Sequence, residues 1–166
     1  MLNINEFISY FEGIRKRTLN YAKTIPNSLI DWRIKEDKFS FGDIIRHLGA
    51  TELMFFQAVK KNEWYYVGHG EEKGRTLEGT MNYLNECHTI VMTGLQDLTE
   101  SDLRKKIKTF SGYEVSAWRM FMAMAEHEIH HRGQISSYLQ MNDITPPQIF
   151  GQKIEQIHHF HDNKLD

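Results

Sequence analysis

One cysteine, three prolines and an absence of long apolar runs frame this 166-residue chain. The lone Cys87 has no intramolecular partner for a disulfide, and Met1 to Ile14 show no basic start followed by an apolar run and a small-residue cleavage site. A reducing, cytoplasmic setting is the expectation. Each proline removes a backbone donor and clashes with the preceding turn, so a chain with few of them has room for long helices. The apolar stretches break within a few residues, far short of the roughly 20 needed to cross a bilayer, so no membrane partner is expected. Charge of one sign is also lacking. Lys plus Arg number 20 against 22 for Asp plus Glu, a net charge of −2, which leaves no positive field to gather phosphates. No nucleic-acid partner is expected.

What is present is ordinary globular material: 40% of residues are apolar and 25% charged, in a length suited to one domain. From Ile4, the positions Phe7, Ile8, Phe11, Ile14, Leu19, Ala22 and Ile25 recur at helical spacing and stop before Pro26. Ser40 with Asp43 three residues on is a carboxylate variant of the capping box, and it predicts a second helix over roughly Phe41 to Lys61. Behind a glycine-bearing stretch, with Thr76 as its cap, Leu77, Met81, Leu84, His88, Val91, Leu95 and Leu98 alternate in steps of four and three, which predicts a third.

The segment Asp102 to Val115 is less regular. Lys106 to Phe110 followed by Ser111-Gly112 alternates like a short strand and turn within a structured loop. Ser116 then caps a fourth long helix reaching about Met141, and a short C-terminal helix is expected from Gln148 to about His159. Four such helices bury one core most easily as an all-α four-helix bundle, a single domain over residues 1–166. Connections of a dozen or so residues can cross the bundle, so simple up-down-up-down order is not forced.

Nine histidines raise the question of where they point. At about 100° per residue, His127 and His131 lie about 40° apart on one side of the fourth helix, whereas His130 falls about 60° to the other side. Met120, Met124, Ile135 and Tyr138 share the stripe of His127 and His131, while His130 borders the polar side with Arg119, Glu126 and Ser137. His47 likewise shares a face with Ile44, Thr51, Met54, Phe55 and Ala58. Imidazoles in apolar stripes must satisfy both ring nitrogens. Hydrogen bonds within the core do this for a lone histidine. A shared divalent metal does it for several, taking one nitrogen of each ring while the other donates outward. Three nitrogen ligands leave a coordination position open, the pattern of a catalytic site and not of a closed structural one.

The segment Asp37-Lys38-Phe39-Ser40-Phe41-Gly42-Asp43-Ile44-Ile45-Arg46-His47-Leu48, taken with His127-Glu128-Ile129-His130-His131-Arg132-Gly133-Gln134-Ile135, strongly resembles the DinB-like (DinB/YfiT) metalloproteins over nearly the full chain. The resemblance implies a four-helix bundle in up-down-down-up order. It also implies a divalent metal held by His47, His127 and His131, with zinc or nickel first and iron or manganese behind, and homodimers as a common state. Members with assigned activity are similar in being thiol-dependent S-transferases or isomerases that use low-molecular-weight thiols. The implied function is transfer of such a thiol to a small-molecule electrophile.

Two other readings compete. The string His127-Glu128-x-x-His131 formally matches the zincin motif, where the glutamate activates a zinc-bound water. No further histidine follows at metzincin spacing, which leaves Glu155 as a downstream third ligand, and no edge strand for a peptide is visible. A bundle that binds metal or an apolar ligand without catalysis is the other. Among the remaining histidines, His88 reads as hydrogen-bonded core or an outer contact to the site, His69 as a solvated loop residue, and the His158-His159-x-His161 cluster as a fraying end. Cys87 reads as a small buried hydrophobe, with no basic neighbour to activate it.

Overall fold

The computed structural model describes residues 3–152. Helix α1 spans Ile4–Ala22 and opens with a capping box in which Asn3 and Glu6 satisfy each other's backbone N–H groups. Helix α2 spans Phe41–Lys61, opens with the expected Ser40–Asp43 box, and ends where Asn62 turns into the left-handed region at φ 58°. Helix α3 covers Leu77–Gln96, capped by the Thr76 hydroxyl, and α5 covers Ala117–Met141, capped by Ser116. A short α4, Glu100–Arg104, starts at its own Thr99–Asp102 box, which the apolar pattern did not signal. Strands β1 (Lys106–Lys108) and β2 (Glu114–Ser116) then pair antiparallel, with Ile107 opposite Val115.

Side-chain neighbours fix the helix directions. Phe7 meets Phe121 while Arg15 meets Glu128, so α1 and α5 run the same way. His47 meets His131 while Phe55 meets His127, so α2 runs against α5. Gly49 lies against Leu84 and Gly94 against Phe56, so α3 is parallel to α2. The bundle is therefore up-down-down-up. A parallel neighbour needs a return strand of chain, and residues 62–76 provide it by running back along α2 to its start. The α2–α3 seam is close because it is built on glycines: a Cβ at Gly94 would sit 2.2 Å from Cζ of Phe56.

The core divides into two apolar clusters. Phe7, Phe11, Phe56, Val91, Leu95 and Phe121 anchor one. Ile44, Ile45, Leu84, Ile135, Tyr138 and Leu139 anchor the other. Between them lies a buried polar layer. Arg15 Nη2 reaches Glu52 Oε2 at 2.5 Å and Glu128 Oε2 at 2.7 Å, and His88 Nδ1 reaches Glu52 Oε1 at 2.7 Å. Burying these charges is tolerable only because the Arg15 guanidinium is shared between the two carboxylates. His88 is thus a hydrogen-bonded core residue in the layer between α1, α2 and α3.

The C-terminal expectation needs correcting. Gln148 to Gln152 form a turn and bends after Pro146-Pro147, not the start of a helix, and Gly151 at φ 83° adopts a left-handed conformation that a right-handed helix does not include. The rest of that expected helix, Glu155 and the His158-His159-x-His161 cluster lie outside the described residues. No helix among the described residues is long and apolar enough to cross a membrane.

Candidate metal centre

The Ser40–Asp43 box starts α2 in the phase that turns His47 toward α5, where His127 and His131 stand one turn apart. The three rings converge: centroids are 5.0 Å apart for His47 and His127, 4.9 Å for His47 and His131, and 4.5 Å for His127 and His131. One ligand atom from each ring falls within 4.8 Å of the others. His47 Nε2 faces His127 Nε2 at 3.1 Å. Two nitrogens bonded tetrahedrally to one ion at about 2.0 to 2.1 Å stand a little over ~3 Å apart, so this pair is already at a chelating separation. His130 is exposed and stays outside the cluster, as the helical angles require.

The outward nitrogens have partners. His47 Nδ1 lies 2.8 Å from the Tyr66 hydroxyl, and His131 Nδ1 lies 2.9 Å from Gln134 Oε1. The Gln134 amide is oriented in turn by donating to the Tyr138 hydroxyl at 3.1 Å. Thr51 donates its hydroxyl proton to the His47 carbonyl at 2.7 Å, which leaves its oxygen to accept from His127 Nδ1 at 3.4 Å. One tautomer satisfies all three contacts: each ring carries its proton on Nδ1 and keeps the Nε2 lone pair free.

Electrostatics keep these rings neutral. Burial, reinforced by the neighbouring His127, His131 and His69, lowers the pKa of His47 to about 3. Burial, with His131 and His130 beside it, lowers His127 to about 4. His131 is lowered as well, chiefly by burial, with Gln134 opposing. Neutral imidazole is the ligating form. Donor chemistry, spacing and outer hydrogen bonds all fit a divalent cation.

A sequence pattern describing the DinB superfamily matches residues 10–135, which contain all three histidines. The chain belongs to the DinB superfamily. The uncharacterized protein YjoA of Bacillus subtilis (strain 168) is 24% identical over 143 residues, covering 84% of this chain and 91% of YjoA. Bacillus subtilis YfiT, described as a probable metal-dependent hydrolase with an unusual four-helix bundle topology, superposes with a TM-score of 0.68 at 12% identity. That match covers 86% of this chain and 89% of YfiT. A mycothiol-dependent maleylpyruvate isomerase superposes with a TM-score of 0.59 at 13% identity, covering 81% of this chain and 63% of the isomerase. At these identities the structural matches establish a shared fold.

Within this DinB-superfamily bundle, Glu128 does not serve the cluster. It is 2% exposed in the polar core layer with its carboxylate on Arg15, and burial raises its pKa despite that guanidinium. The zincin arrangement, which needs this carboxylate beside the ion, is not formed. Cys87 is buried and its thiol is pushed up to about 11, chiefly by that burial, which bears out its reading as an inert small hydrophobe. His69 is the correction. It is a half-buried residue whose Nδ1 lies 2.6 Å from the Tyr66 hydroxyl and whose ring packs on Phe39 at 4.6 Å. No periodic pattern marks Tyr66 or His69, because both sit in the irregular return from α2.

Proposed function

We propose that this protein is a divalent-metal-dependent enzyme that transfers a low-molecular-weight thiol to a small electrophile, with His47, His127 and His131 as the metal ligands. The observation that carries the reading is the convergence of three neutral imidazoles in a cluster that contains no carboxylate or thiolate among the described residues. Three such ligands leave a position open at a four-coordinate ion. When bound there, a divalent cation supplies the positive charge that lowers the pKa of a thiol and holds it as a nucleophile.

The chain's own residues do the rest. Thr51, Tyr66 and Gln134 hold the three rings by their Nδ1 atoms. Phe39 packs on His47, and Phe55 packs its edge on His127. Phe55 also forms one wall of a mostly apolar cavity of about 340 Å³, shared with Trp64, Phe110, Val115, Met120 and Ala123. That volume suits one small apolar molecule. The name of the mycothiol-dependent isomerase with the same fold supports the thiol.

Metal-assisted hydrolysis of a small substrate is the second reading, favoured by the same open ligand set and by the description of YfiT. Imidazole suits zinc, nickel and iron, whereas manganese favours oxygen ligands, and elemental analysis decides among them. The test is metal content of the native protein and of His47→Ala, followed by assays of the loaded protein with thiols plus electrophiles and with hydrolysable esters. Thiol consumption matched by loss of electrophile supports transfer. Turnover without thiol supports hydrolysis, and no turnover of either kind leaves a metal-binding bundle.

A further inference from the structure

We propose that Tyr66 and His69 are positioning residues that set the tautomer of His47, and that the return loop over residues 62–76 exists in part to deliver them. The inference rests on reading His47 as a metal ligand. It adds a role for two residues outside the three-histidine cluster.

His47 can ligate through either ring nitrogen, and the choice is made by what the other nitrogen bonds to. Its Nδ1 lies 2.8 Å from the Tyr66 hydroxyl, whose other close partner is His69 Nδ1 at 2.6 Å. A hydroxyl has one proton to give. If Tyr66 donates to His69, its lone pairs face His47, so His47 must hold its proton on Nδ1 and present Nε2 inward. Without His69, the Tyr66 proton is free to turn toward His47 Nδ1 and favour the opposite tautomer, which places a proton on the ligating atom. His69 therefore acts through Tyr66, and Tyr66 through His47.

The loop is held so that this chain of contacts persists. Arg46, the residue before His47, is 1% exposed and donates through Nε to the His69 carbonyl at 2.8 Å and through Nη1 to the Gly74 carbonyl at 2.6 Å. Its Nη2 is anchored on Asp43 at 2.7 Å. At Gly74, with φ 129°, a Cβ would sit 2.5 Å from the Gly79 carbonyl carbon, so only glycine lets the loop close onto the start of α3. Phe39 packs against both His69 and His47, at 4.6 and 5.1 Å between ring centroids. One helical turn of α2 thus supplies a ligand and the clamp for that ligand's orienting partners.

Affinity for zinc, measured by competition with a chromophoric chelator, tests the proposal alongside the ¹⁵N shifts of the His47 ring in metal-free protein. Tyr66→Phe removes a single hydroxyl from a residue that is 37% exposed, so the fold is expected to survive, as the metal-free melting temperature will check. The expected result is a loss of about 10- to 100-fold in zinc affinity for Tyr66→Phe. A smaller loss is expected for His69→Ala, with no further loss when His69→Ala is added to Tyr66→Phe. The wild-type ring should report the Nδ1–H tautomer and the Tyr66→Phe ring a mixture. Wild-type affinity in Tyr66→Phe, or independent losses that multiply in the double variant, would overturn the proposal. If the wild type takes up no divalent ion, the ligand assignment fails, while the ring shifts still decide whether Tyr66 sets the tautomer.

Discussion

Glu128 follows His127 directly, yet its carboxylate lies 2.7 Å from Arg15 Nη2 in the core while the imidazole turns to the cluster. Two adjacent residues on one helix thus serve different layers, because successive side chains diverge by about 100°. Glu128→Gln should accordingly retain full metal content and most of any thiol-transfer activity, since the carboxamide oxygen can still accept from Arg15. Metal analysis and turnover of the variant check this. Abolished turnover at full metal content would restore a zincin-like role for the carboxylate.

Arg15→Met leaves Glu52 and Glu128 buried without their shared cation. Breaking a buried pair in this way costs about 3 to 5 kcal/mol, and urea denaturation of the metal-free protein should show a loss of that order. Arg15 is 2% exposed, so little solvent is available to soften the penalty.

His131→Ala and His130→Ala differ by one position on α5 but should part in metal content. His131 is in the cluster, and its loss removes one of the three proposed ligands, so bound metal after gel filtration should fall well below one ion per chain. His130 is exposed, and its removal should leave metal content at the native level.

Acid should weaken the metal-free fold through the same rings. Unfolded His47 and His127 take up protons near their ordinary value of 6.5, whereas the folded rings do so only near about 3 and about 4. Between those limits the unfolded state binds more protons, so stability falls as pH drops below 6.5 and the full penalty is reached near pH 3. Urea midpoints from pH 7.5 to 4 should decline, and less steeply in His47→Ala. An unchanged slope in that variant would show that the acid sensitivity arises elsewhere.

Gly94→Ala tests the parallel α2–α3 seam. The added methyl meets Phe56 Cζ at 2.2 Å, and Phe56 is 3% exposed within the first core cluster. Overpacking of this kind costs about 1 to 3 kcal/mol, enough to outweigh the better helix propensity of alanine. A lower melting temperature is expected. An increase would mean that the ring repacks freely.

Local chemistry wrote much of this protein into its sequence. The caps Ser40, Thr76 and Ser116 and the apolar spacing mark where the long helices begin, because a cap and its helix are only residues apart. Angular position likewise separates His131 from His130, since both ride on one rigid helix. Other features needed the tertiary structure. That His47 meets His127, that Glu128 is committed to Arg15, and that Tyr66 and His69 return to the cluster are contacts between segments many residues apart. Helical periodicity says which face a side chain occupies but not what stands opposite it, and in an irregular loop it says neither. The partners were decided by the up-down-down-up packing and by Arg46, which ties the return loop to the start of α2.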